Sequence, residues 1–68
     1  MTDDQIKAHL RHIQDAAYLR DHEAAHIRED DLFISVLMGI RDGKIADPAK
    51  AAELALRSRS LCFPRRCA

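Results

Sequence analysis

Helix-breaking residues are scarce in this chain, which has two glycines and two prolines among 68 residues and none before Gly39. Glycine and proline interrupt helices most strongly, so a stretch without them can remain helical throughout. The sequence also lacks the alternation of apolar and polar residues that is typical of half-buried strands. These absences predict an all-α fold in a single small domain spanning residues 1–68.

Long apolar runs are absent as well. No segment reaches the roughly 18–20 apolar residues that a membrane-spanning helix needs, and the polar start of the chain is not followed by the apolar core of a secretory signal. We therefore expect a cytoplasmic protein that does not bind membranes. In that compartment Cys62 and Cys67 are expected to be reduced thiols, because disulfides persist mainly in oxidising environments.

Net charge is zero, but the charges are unevenly distributed. Residues 1–46 carry nine acids against six Lys or Arg, and residues 47–68 carry two acids against five. An excess this small is more typical of a solvated surface or a subunit contact than of a nucleic acid site. Weak nucleic acid binding through the basic C-terminal third therefore remains only a further alternative.

The sequence predicts three helices, at about 3–19, 22–42 and 48–59, and an extended tail at 60–68. Thr2 and Gln5 have the spacing of a capping box at the first helix. Asp47 and Pro48 supply an N-cap followed by proline at the first helical position, which is typical of a helix start. The apolar stripe of the first helix consists of Ile6, Leu10, Ile13 and Ala17.

The second predicted helix is apolar over most of its circumference between residues 32 and 40. At 100° per residue one apolar face contains Phe33, Val36, Leu37 and Ile40, and another contains Ile27, Ile34 and Met38. A helix that is apolar all round must be buried, and two further helices in so short a chain cannot cover both faces. We therefore expect a homodimeric helical bundle, packed or intertwined, with its interface at Phe33, Ile34, Val36, Leu37, Met38 and Ile40.

Residues 22–26 read His-Glu-Ala-Ala-His, the only pattern in the chain with a chemical mechanism behind it. On a helix, His22 and His26 share a face and can reach one zinc ion. In metalloproteases with this pattern the glutamate, here Glu23, activates a zinc-bound water. Such enzymes also need a third ligand and usually a strand edge to align the substrate, and the sequence singles out neither. We therefore expect no enzyme, with Glu23 catalytic only if the protein were a hydrolase.

A structural zinc site is the stronger metal hypothesis. Cys62 and Cys67 would complete a Cys₂His₂ set with His22 and His26. Such a site would attach the tail to the second helix and supply the stabilisation that so short a chain commonly needs. The simpler interpretation is that both histidines form a polar margin of the packing face and that the protein has no cofactor.

The last two-thirds of the chain have a recognisable order of features. His26 is followed by Glu29-Asp30, the apolar helix, an Asp-Pro-Ala helix start at 47–49, and the ending Phe-Pro-Arg-Arg-Cys-Ala at 63–68. This order resembles small uncharacterised helical proteins of bacterial and prophage genomes. The resemblance brings no activity, so it assigns no functional residue. Taken together, the sequence predicts a small non-enzymatic interaction or regulatory protein that forms homodimers, or binds another protein partner, with zinc binding as the alternative.

Overall fold

The computed structural model of the protein describes residues 1–61 and Phe63. This part of the chain is helical and contains no strand, which confirms the predicted fold class. Its three α-helices are α1 (Asp3–Tyr18), α2 (His22–Arg41) and α3 (Pro48–Leu56). The third helix ends at Leu56 rather than near Arg59, because the chain tightens there into a 3₁₀ turn, Arg57–Ser60, as helix ends commonly do.

Side chains satisfy the backbone at the two helix starts that the sequence marks. At α1 the Gln5 N–H donates to Thr2 Oγ1 at 3.2 Å, and the Thr2 N–H donates to Gln5 Oε1 at 3.0 Å. This is the predicted capping box. At α3 the Lys50 N–H donates to Asp47 Oδ1 at 3.1 Å, as predicted for an Asp-Pro start. Both short sequence patterns therefore fix where their helices begin.

The turns on either side of α2 each place one residue in the left-handed region, Arg20 with φ 60° and Gly43 with φ 69°. Glycine adopts this conformation freely, whereas a residue with a Cβ pays roughly 1–2 kcal/mol. After Arg20, Asp21 caps α2 by accepting from the Ala24 N–H at 3.1 Å. The α1–α2 turn thus stores strain that the α2–α3 turn avoids.

The core lies where the three helices meet, since each α-helix packs against both of the others. Its fully buried large apolar side chains are Ile6 and Ile13 of α1 and Leu32 of α2. The loop residue Ile45 and the tail residue Phe63 close the core at its edges. The remaining buried apolar residues are Ala16, Ala25, Val36, Ala51, Leu54 and Ala55. In such an arrangement every helix keeps one side that faces away from the core.

None of the described helices is both long and apolar enough to cross a membrane. The twenty residues of α2 span about 30 Å at 1.5 Å per residue. This is close to the longest dimension of the molecule, 34 Å. The outward side of α2 therefore runs along nearly the whole length of the protein.

Candidate docking surface

The His-Glu-Ala-Ala-His segment forms the first turns of α2. His22 and His26 are partly buried and Glu23 is exposed. The Nδ1 atoms of both imidazoles are shielded from solvent and have no hydrogen-bond partner among the described residues. Nε2 of His26 lies 3.4 Å from Oδ2 of Asp30, one turn further along the helix. The two histidines thus lie one turn apart on α2, and Asp30 is the carboxylate that His26 contacts.

A third metal ligand does not join this pair in the part of the chain that the structure describes. There, no group of three or more His, Cys, Asp or Glu side chains is arranged to hold a metal ion. Glu29, one of the carboxylates available to the motif, is turned into the protein instead. Cys62 and Cys67 lie outside the described residues, so the Cys₂His₂ site remains a prediction.

Glu29 has a structural position that sequence reasoning missed. It is only 2% exposed, and its Oε1 lies 3.7 Å from Nη1 of Arg59 in the 3₁₀ turn. Glu29 lies four residues after Ala25 and three before Leu32, which places it on the buried stripe of α2. This spacing is the one feature of the sequence that could have predicted its burial. Its cationic partner lies thirty positions away, and no local pattern reveals such a pairing.

The outward side of α2 is rich in exposed apolar side chains. Ile34 is 54% exposed, Leu37 66% and Met38 46%, and Ile27 is exposed to a similar degree. At 100° per residue, Ile27, Ile34 and Met38 point away from the buried residues Ala25, Leu32 and Val36. Scattered exposed apolar residues are ordinary, but several in one contiguous patch mark an interaction site.

An apolar groove of about 320 Å³ adjoins this side, between α2 and α3. Leu37 lies between the outward side of α2 and the groove, and Leu56 of α3 is 60% exposed on its far wall. The groove residues are Phe33, Val36, Leu37, Ile40, Ala52, Ala55 and Leu56. Val36, predicted as an interface residue, is only 4% exposed and packs in the chain's own core. Val36 therefore offers little surface to a partner, although it lines the groove, and its place in the interface stays a prediction. Its neighbours on either side are exposed or partly exposed.

Exposed charges are unevenly distributed along α2. In its N-terminal half three exposed acids, Glu23, Asp30 and Asp31, outnumber one exposed base, Arg28. At its C-terminal end Nε of Arg41 lies 2.9 Å from Oδ1 of Asp42, so this pair is neutral and Lys44 beyond it supplies the positive excess. The apolar patch therefore has an acidic end and a weakly basic end.

Acidic side chains of the protein itself engage two basic residues of its last third. Nζ of Lys50 lies 3.0 Å from Oδ2 of Asp3. This hydrogen bond, and the attraction between the two charges, raise the pKa of Lys50 above its ordinary value of 10.5. Arg59 faces the buried Glu29, and Arg65 and Arg66 lie outside the described residues. This geometry gives no support to the weak nucleic acid binding considered above, which stays a prediction.

The described part of the chain is a small three-helix fold with an exposed apolar surface on the outward side of α2. Compared with protein-family models, with curated proteins and with solved structures, the chain gives no match in any of the three.

Proposed function

We propose that the protein is a non-enzymatic interaction protein that acts as a homodimer, with the outward side of α2 and the adjoining groove as its contact surface. The observation that carries the proposal is the exposure of Ile34, Leu37 and Met38 by about half or more on one helix. Leu56 extends the same apolar surface across the groove. Dimerisation would turn α2 from a partly exposed helix into the centre of a helical bundle.

Burial of the exposed apolar surface of α2 by a second copy of the chain is energetically favourable. Burial of apolar surface stabilises by roughly 25 cal/mol per Å², and a chain below 70–80 residues draws only about 3–5 kcal/mol from a single core. A dimer interface over α2 would add to that stability, because association stabilises the folded state. Self-association is also the commonest assembly of soluble proteins, because one apolar patch then covers itself through a two-fold axis.

The test compares two identical substitutions on different surfaces. Leu37→Glu places a charge on the proposed contact, and Leu19→Glu places one on a leucine that is 74% exposed at the end of α1. Leu19 lines a different depression, on the α1 side of α2. Both leucines are exposed, so neither change should disrupt the core.

We expect light scattering at micromolar concentration to give twice the 7.7 kDa chain mass for the parent and Leu19→Glu, and a single chain mass for Leu37→Glu. Circular dichroism should show that all three proteins are helical. A parent protein with the mass of one chain would refute the homodimer. A dimer that Leu37→Glu leaves intact would refute the contact surface.

Zinc binding is the second candidate. The observation in its favour is that His22 and His26 lie one turn apart, each with a shielded Nδ1 atom that has no hydrogen-bond partner among the described residues. In the cytoplasm expected for this protein, Cys62 and Cys67 would be thiols able to complete the set. The test is the zinc content of protein purified without a histidine tag, with thermal melts before and after chelator. Zinc below one equivalent together with an unchanged melt would exclude it.

A further inference from the structure

Three apolar side chains of α2 lie in one stripe on its outward side, which the exposed Asp30 and Asp31 flank between its first two members. Ile27, Ile34 and Met38 are separated by seven and four positions, the spacing that keeps residues on one side of a helix. Leu37 flanks the stripe on the groove side. A second helix laid along this stripe would cover all four side chains at once.

The ends of the stripe differ in charge. Around its N-terminal half Glu23, Asp30 and Asp31 outnumber Arg28, whereas at its C-terminal end Arg41 is paired with Asp42 and Lys44 follows. Two helices that pair in the same direction bring the acidic halves together, and like charges at close range destabilise an interface. Two helices that pair in opposite directions keep the acidic halves apart and bring each one to the weakly basic end of the other helix. The helix dipoles favour that arrangement as well.

We propose that two copies of the protein pack α2 antiparallel against α2, with the two-fold axis close to Ile34. This inference rests on the proposed function, since it specifies how the homodimer is built. Ile34 of each protomer then faces Ile34 of its partner. Arg41 of one protomer, which is paired with Asp42 of its own chain, lies opposite Ile27 of its partner, where its contact can extend to the acidic half of the partner's α2. Leu37 is covered together with the stripe.

The antiparallel arrangement makes a specific prediction about which positions meet. A disulfide forms only when the two Cα atoms are about 4.4–6.8 Å apart. A cysteine at the axis can therefore bond its own copy, whereas cysteines at the two ends of the stripe can bond only each other. In a parallel pair every position meets its own copy instead.

The experiment uses the full chain with Cys62→Ser and Cys67→Ser as background and adds one cysteine at a time: Ile34→Cys, Ile27→Cys or Arg41→Cys. Mild oxidation is followed by non-reducing electrophoresis and intact-mass measurement. Ile27→Cys is also mixed with isotopically heavy Arg41→Cys, so that mixed dimers are recognised by mass. The molar mass of each protein is first measured by light scattering, and its helix content by circular dichroism, under reducing conditions.

We expect Ile34→Cys to convert mainly to a cross-linked dimer. Neither Ile27→Cys nor Arg41→Cys should cross-link alone, but their mixture should yield cross-linked mixed dimers, up to the fraction that statistical exchange allows. The matched control is Leu19→Cys in the same background, an exposed leucine outside the interface, which should stay uncross-linked under the same oxidation.

Two different results would overturn the inference. If the proteins weigh as dimers but all three positions cross-link to their own copies, α2 pairs in parallel. If they weigh as dimers and none cross-links, another surface joins the protomers. In both cases the homodimer survives and only its geometry is wrong. A background protein that weighs as a single chain would instead refute the proposed function itself.

Discussion

The two sides of α2 differ in what covers them, although both are apolar. On the inward side Ala25, Leu32 and Val36 are buried by α1 and α3. On the outward side Ile34 and Met38 have comparable side chains and remain about half exposed. The comparison shows that α2 has more apolar surface than α1 and α3 can cover. How much of that surface is buried depends on the number of helices that pack against it. The remainder is what a second copy would supply.

The largest expected effect comes from shortening one leucine on each side. Leu32→Ala removes a fully buried side chain and should cost about 2–5 kcal/mol, which is comparable to the whole stability expected for such a core. Leu37→Ala, the same change on an exposed residue of the same helix, should preserve the fold and weaken only the dimer. Urea denaturation followed by circular dichroism measures both. Equal losses of stability at low protein concentration, where the dimer dissociates, would contradict the division into two sides.

A smaller effect is expected from the buried charge on the inward side. Arg59→Ala removes the cation 3.7 Å from Glu29 and should lower the free energy of unfolding by about 1 kcal/mol. This is less than a fully buried pair would lose, because the arginine side chain is more than half exposed. Arg57→Ala, in the same 3₁₀ turn, is the matched control. Indistinguishable denaturation midpoints for the two variants would show that the Glu29–Arg59 contact contributes nothing.

A substitution in the turn that leads into α2 should increase the stability of the protein rather than lower it. Arg20→Gly relieves a left-handed residue and should stabilise the protein by about 0.5–1 kcal/mol, after the greater entropy of glycine in the unfolded chain is subtracted. Gly43→Ala should destabilise it, because alanine must then adopt the same conformation with nothing else altered nearby. Neither change touches the outward side, so neither should alter the mass of the dimer. Thermal melts with light scattering test both statements.

The smallest expected effect is the pH dependence of the Lys50–Asp3 pair. Because Asp3 raises the pKa of Lys50 above 10.5, the pair stabilises the folded protein fully at lower pH and is lost as pH rises through the raised value. The difference in urea midpoint between the parent and Lys50→Met should therefore be small and constant at neutral pH and vanish in strong alkali. Lys7→Met, an exposed lysine of α1, should show no such convergence.

Local patterns in the sequence predicted the architecture of this protein well. The capping box at Thr2 and the Asp47-Pro48 start mark helices directly, because their chemistry is confined to a few neighbouring residues. The stripe of α1 likewise predicted the burial of Ile6 and Ile13. These features depend on residues that are close together in the sequence, so they can be predicted without the tertiary structure.

The candidate site was harder to predict, because it depends on which helices meet. An all-round apolar pattern does not say which face of α2 packs inward, so the sequence did not reveal that Val36, a predicted interface residue, is buried in the core of its own chain. Glu29 is buried beside Arg59, which lies thirty positions along the chain. The histidine motif was visible in the sequence, but the position of any third ligand is a long-range property that no spacing encodes.

Sedimentation equilibrium of the parent protein across a wide concentration range tests the division between the two sides of α2 most directly. If a second copy covers the outward side, the mass should rise to twice the 7.7 kDa chain mass and stay there, with dissociation only on dilution. A mass of one chain at every concentration, with a cooperative thermal melt, would contradict it by showing that the protein is stable with its outward side uncovered.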